Sequence, residues 1–189
     1  NLMPVTINGS GSIAGLSVGG LGDGAIVDAG SLAAGSVIQV QNMTISTNNV
    51  RVTDASSSNH QTWFTNNNAA GTPVYQRIQF TPKLSTSKLL LLAIGSLRYD
   101  TGTTGHAGYA QVRIIDATNS NTEVAYNKYA MYAYTGGTNR DSGAWTCMGH
   151  INASSTSMRQ YDVQYYFDGQ QQYRHGAQGD AITVMEIKV

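Results

Sequence analysis

From Ser36 onward the chain is a series of short runs rich in Val, Ile, Thr and Tyr. Polar turn clusters interrupt these runs roughly every 8 to 15 residues. That rhythm leaves room for strands of ordinary length and almost none for helices. The expected strands are 37–45, 61–65, 74–80, 88–99, 109–116, 128–135, 144–152, 159–168, 170–174 and 181–189. In one of them Tyr161, Val163, Tyr165 and Phe167 share a face, while Asp162, Gln164 and Tyr166 share the other. Asp168-Gly169 is a tight-hairpin signal, since both central positions of that turn want positive φ. Between the runs, 54–59, 66–72, 100–105, 136–143 and 153–157 hold residues that bond their own backbone and end strands. No helix is expected. The fold class is therefore all-β, an antiparallel β-sandwich of jelly-roll type.

Residues 8–35 differ from the rest. They are almost entirely Gly, Ser and Ala with single Val, Leu or Ile residues, and they hold 9 of the 21 glycines. Such a segment cannot bury enough area to pack alone. Its spaced apolar residues (Ile13, Leu16, Val18, Leu21, Ile26, Val27, Leu32) favour an extended arm that packs on something else. The expected organisation is a Gly/Ser/Ala-rich arm or stalk at 1–35 and a sandwich head at 36–189. The chain begins Asn1-Leu2-Met3-Pro4, which reads as a processed product or the C-terminal piece of something longer.

Polarity here does not come from charge. Only 12% of residues are charged and the net charge is zero, while Ser, Thr, Asn and Gln make up 62 of the 189 residues. Seven Arg and four Lys balanced by eleven acids give no strongly basic face, so a nucleic-acid partner is not expected. The longest apolar run, 89–94, is far short of the ~18 residues of a membrane span, so no membrane insertion is expected. The single Cys, Cys147, excludes an intramolecular disulfide.

Catalytic motifs are matched only in passing. Gly15-Leu16-Ser17-Val18-Gly19 fits the nucleophile-elbow pattern, but it has Gly-rich flanks and no helix to hold the strained turn. Gly19-Gly20-Leu21-Gly22-Asp23-Gly24 grazes a calcium-binding repeat in a single copy, with Asp one place early. The four His (His60, His106, His150, His175) lie in different segments, none at ligand spacing from another His or Cys. A metal assembled across a threefold axis would need one His from each chain, and a hydrogen-bonded surface His is the simpler reading. Two Glu and nine Asp mark no acid/base pair. Sequons at Asn8, Asn42 and Asn152 arise by chance in so much Asn, Ser and Thr. Neither catalysis, metal nor cofactor is expected.

Aromatic residues are more informative. Tyr99, Tyr109, Tyr126, Tyr129, Tyr132, Tyr134, Trp145, Tyr161, Tyr165, Tyr166 and Tyr173 crowd the C-terminal half. Tyr beside Asn, Gln, Arg and Asp makes a recognition surface, because rings stack while the rim hydrogen-bonds. Strand packing accounts for most of these rings. The expected contact residues lie in or beside loops: Asp100, His106, Asn139, Arg140, Tyr173, Arg174 and His175. The last strand is apolar on both faces, with Ile182 and Val184 on one and Met185 and Ile187 on the other. A strand of that kind is covered on both sides, so these four residues are the expected subunit interface.

Four strings carry a resemblance. The segment Thr6 to Leu21 (TINGSGSIAGLSVGGL) looks like one common in tail-fibre-like proteins of tailed bacteriophages. Gly35-Ser36-Val37-Ile38-Gln39-Val40-Gln41 resembles the opening strand of their C-terminal domain. Phe80 to Leu91 (FTPKLSTSKLLL) is similar to their TPKSTSSKILV signature, and Ala181 to Val189 resembles their closing strand. The strings occur in the family's order, and the stretch 100–176 matches none of them. Two departures are a "VQN" for the usual "VVQ" and Gly20-Leu21-Gly22-Asp23-Gly24 for "GLPDG". The resemblance implies a homotrimeric virion protein that attaches to a host surface glycan or protein and meets other virion proteins through its arm. A head fibre or capsid decoration protein on the same scaffold is the alternative. A polysaccharide depolymerase is disfavoured, because cleaving tailspikes are long parallel β-helices.

Overall fold

The computed structural model describes residues 6–7, 13–14, 32–45, 63, 76–100, 107–134, 141–167, 172–175 and 180–189. The chain divides into two units, 1–32 and 33–189. In the first, β1 (Thr6–Ile7) pairs antiparallel with β2 (Ile13–Ala14). The second is the head. It begins before residue 36 because the backbone there is tied to the far end of the chain. The Gly35 N–H donates to the Lys188 carbonyl (2.7 Å) and the Lys188 N–H to the Ser36 carbonyl (2.9 Å). Gly35 makes that turn at φ 86°, a conformation that favours glycine.

The head is built of β3 (Val37–Ile45), β4 (Arg77–Phe80), β5 (Lys88–Asp100), β6 (Ala107–Asp116), β7 (Thr122–Tyr134), β8 (Asp141–Asn152), β9 (Arg159–Phe167), β10 (Gln172–His175) and β11 (Asp180–Ile187). No helix occurs among the described residues. All pairings are antiparallel, and they nest. Setting aside the short β10, the first strand pairs with the last (β3·β11), then β4 with β9, β5 with β8 and β6 with β7. Two further pairings, β11·β5 and β6·β9, close these ribbons into sheets of order β3-β11-β5-β8 and β4-β9-β6-β7. A four-deep nested ribbon wrapped into two facing sheets is a jelly roll. The short β10 lies beside the far end of β5, on the side where β11 pairs further down.

Alternation fills the space between the sheets. Leu89, Leu91 and Ala93 of β5 face Val112 and Ile114 of β6 and Tyr161, Val163 and Tyr165 of β9 across one core. Each large side chain buried there contributes about 1.5–3 kcal/mol. Ile182 and Val184 belong to this core, each 0% exposed. They are therefore spent inside one chain and offer no surface to a neighbour, which corrects the subunit interface expected there. Met185 and Ile187 alternate to the outer face and stay half-buried. Strand β7 starts at Thr122, six residues before the expected 128. The turn before it is tight: Asp116 Oδ1 accepts the N–H groups of Thr118 (3.0 Å) and Asn119 (3.2 Å), while Ser120 and Asn121 take positive φ. Of the expected strand 61–65 only Trp63 is described, outside any strand; the Asp168-Gly169 turn lies outside the described residues.

Two polar devices join the sheets. Near one end, the fully buried Gln76 donates from Nε2 to the Ala181 carbonyl (3.0 Å) and accepts the Tyr165 hydroxyl at Oε1 (2.8 Å). Burial pushes the Tyr165 phenol well up, so it stays a donor. At the other end Glu186, 0% exposed, faces the segment 81–87 that carries the chain from β4 to β5. Its carboxylate accepts the N–H groups of Lys83 (3.0 and 2.9 Å) and Leu84 (2.9 Å), the Ser87 hydroxyl (2.7 Å) and the Gln39 amide (2.7 Å). Burial alone would raise this carboxyl; the Lys83 N–H, then Ser87, Leu84 and Gln39, outweigh it and hold it below the usual range.

A group held low in the fold stabilises it above its unfolded pKa, and loses that effect as pH falls through its folded value. Glu186→Gln should therefore cost about 2–3 kcal/mol at pH 7, since it presents an amide N–H to donors that need an acceptor. Urea melts should show the gap between variant and parent narrowing below about pH 4. The Cys147 thiol is buried, and burial pushes it up to about 11. It should label with a thiol reagent only at the rate of unfolding, measured by stopped-time alkylation against urea.

Candidate functional surfaces

The pairing registers fix which strand ends lie together. Phe80, Lys88, Asp116, Thr122, Asn152 and Arg159 sit at one end, here the base, with Ser36 leading into β3. The connections there are short and pinned. Arg159 meets the buried Asp116 carboxylate through Nε (2.9 Å) and Nη2, and donates from Nη1 to the carbonyls of Asn152 (3.2 Å) and Ala153 (3.0 Å). The Ala153 N–H in turn reaches the Ser87 carbonyl (2.9 Å).

The opposite end collects the strand ends joined by 46–76, 101–106, 135–140 and 168–171. Four of the expected contact residues fall here along the backbone. Strand β10 sets Gln172 opposite Asp100, Tyr173 opposite Tyr99, Arg174 opposite Arg98 and His175 opposite Leu97. Asp100 and the run Tyr173-Arg174-His175 thus share one sheet edge. His106, Asn139 and Arg140 lie outside the described residues.

A second cluster sits on the outer face of the β4-β9-β6-β7 sheet. Val112, Ile114, Val163 and Tyr165 point inward, so their neighbours Gln111, Arg113, Gln164 and Tyr166 point out. Register sets Gln111 beside Tyr166, and Arg113 beside both Gln164 and Tyr126. Trp63 lies over them, with its ring centroid 4.2 Å from Arg113 Cζ, 5.9 Å from Tyr126 (edge-on, 72°) and 5.5 Å from Tyr166 (48°). Arg113 donates from Nε and Nη2 to Gln164 Oε1 (2.9 and 2.7 Å) and lies 3.6 Å from Glu123. Burial lowers its pKa while Glu123 opposes the shift. The Tyr126 hydroxyl donates to Gln111 Oε1. Sequence reasoning reached Tyr126 and Tyr166 but missed Trp63 and Arg113, which lie fifty positions apart with no spacing signal. The one hint was a Trp standing in a polar stretch.

The third surface is the outer face of the β3-β11-β5-β8 sheet. Met148 is 64% exposed, Val40 56%, Val37 52% and Ile94 40%. Half-buried Leu90, Leu92, Met185 and Ile187 lie between them across the four strands. Thr183 and Asn42, bonded to each other at 2.7 Å, share this face with them.

No group of three or more His, Cys, Asp or Glu that could hold a metal occurs among the described residues. No helix among them is long and apolar enough to cross a membrane. No family model and no curated protein matches the chain. Among solved structures it is similar to the VP2 subviral particle of infectious bursal disease virus, at 14% identity and TM-score 0.37, covering 81% of this chain and 34% of that one. A mutant VP2 of the same virus in derived particles gives 10% identity and TM-score 0.22, covering 80% of this chain and 40% of that one. The chain thus spans about a third of the first VP2 protein. At TM-scores this low the likeness assigns neither family nor role.

Proposed function

We propose that this chain is the head of a homotrimeric, tail-fibre-like attachment protein of a tailed-bacteriophage virion. It binds a host surface glycan or protein and does no chemistry; residues 1–35 form the arm toward other virion proteins. The observation that carries the reading is the division of labour between the two ends of the sandwich. The chain enters at a base fixed by Glu186 and the Asp116–Arg159 pair, and the longest connection between strands, 46–76, joins strand ends at the far end. Loops on a rigid scaffold are where recognition residues are placed.

The family strings support the same reading. Gln39 of the opening strand, Lys83, Leu84 and Ser87 of the TPK segment, and Glu186 of the closing strand form one hydrogen-bonded node. Strings far apart in sequence thus meet at one structural corner. The stretch 100–176, which matches no string, supplies three of the connections at the far end. For assembly, the apolar outer face with Val40, Ile94, Met148 and Met185 takes over the role expected of Ile182 and Val184.

Sedimentation equilibrium should give about three chains per particle, and a clean monomer would refute the threefold arrangement. Met148→Glu puts a charge on that face and should shift the protein toward monomer without lowering the cooperativity of its unfolding. Replacing Tyr173, Arg174 and His175 together by Ala should reduce adsorption to host cells while circular dichroism stays that of a folded sheet protein. Unchanged adsorption moves the contact off β10.

A further inference from the structure

The geometry points to a saccharide-binding platform on the outer face of the β4-β9-β6-β7 sheet, built by Trp63, Tyr126 and Tyr166 around Arg113. It rests on the attachment reading for its biological setting, and it is a different surface from the end that holds β10. Packing alone explains a Trp laid over an Arg. It does not explain the donors left around it. Arg113 has only donors, so its partner on Gln164 must be the amide oxygen, which turns the Gln164 NH2 group away from it. On Gln111 the oxygen is likewise taken, by Tyr126. Among the described residues no hydrogen bond uses either glutamine Nε2, the Trp63 indole N–H or the Tyr166 hydroxyl, and none of these atoms is buried without a partner. Trp63, Gln164 and Tyr166 are half-buried, so their donors reach the surface, while Gln111 is 8% exposed and lies at the floor of the cluster.

Aromatic surface with a ring of neutral donors is the chemistry that reads a sugar. The C–H face of a pyranose stacks on the ring while its hydroxyls take the amide, indole and phenol groups. The cluster's cation is committed: Arg113 lies under Trp63, is bonded to Gln164 and is matched by Glu123 at 3.6 Å. An acidic sugar gains little from a charge already covered and paired, so the ligand class is a neutral saccharide. Arg113 acts by holding Trp63 flat, as a positioning residue.

The test is isothermal titration of the full chain with glucose, galactose, N-acetylglucosamine and maltose, with glucuronate as the acidic probe. At least one neutral sugar should bind with a millimolar Kd, as expected of a single shallow contact. Its affinity should fall at least tenfold in Trp63→Ala and several-fold in Tyr166→Phe, which keeps the ring and removes the hydroxyl. Thermal unfolding of both variants establishes that they are folded. In the parent, tryptophan emission should also move with the sugar, since Trp145 is only 3% exposed and Trp63 is the other tryptophan. No heat from any neutral sugar, binding of glucuronate alone, or unchanged affinity in folded Trp63→Ala would overturn the proposal. Host-cell adsorption of the Tyr173, Arg174 and His175 variant is scored separately, so failure of the platform and failure of the attachment reading remain distinct results.

Discussion

A carboxylate held by neutral donors organises the base of this head. Glu186 comes from the middle strand of one sheet, and the segment it grips is the corner by which the chain crosses from the other. Lys83 and Leu84 have N–H groups that no strand ladder takes up, and the buried Glu186 carboxylate supplies their acceptor. Because the acid is also bonded by Gln39 of β3, three separate stretches of chain are set against one another at a single point. The spacing of the sheets at the base follows from it. So does the register of β11, the strand shared by β3 and β5.

The two outer faces of the sandwich differ in kind. One presents aliphatic and thioether side chains with little charge, the other rings and amides over a guanidinium. Apolar area interleaved with a few hydroxyl and amide groups, such as the bonded pair Asn42 and Thr183, suits a largely apolar partner. Rings with amides suit a partner that is half hydroxyl and half hydrocarbon. The scarcity of charge seen in the sequence then has a use: contacts of both sorts are barely screened by salt.

Much of the architecture was legible in the residues. Strand 37–45 was read at the bounds the structure has, and Tyr161, Val163 and Tyr165, read as sharing one face, do share the inward one. Asp116 ends its strand and caps the turn that follows it. Asp162 pairs with Arg77 at 2.6 Å across a ladder, which no local pattern announces because its partner comes from β4, 85 residues earlier in the chain. The last strand was read as covered on both sides, and which of its faces meets the chain's own core depends on where β11 lies in the sheet. That is set by pairings to β3 and β5, from the far side of the sequence. The platform failed to show for the same reason. Trp63, Arg113 and Tyr166 belong to three segments that only the nested pairing brings to one face.

That nesting has a consequence for how the head comes into being. Strand β11 lies between β3 and β5, so the first sheet cannot close until the most C-terminal strand arrives. Until then β3 and β5 carry facing edges with open backbone groups, separated by the full width of a missing strand. Topologies dominated by such distant pairings fold slowly and pass through sticky states. A chain interrupted before β11 would keep those edges, and with them its tendency to aggregate. The order in which the polypeptide is made thus acts as a check, in which only a chain that includes β11 can seal this sheet.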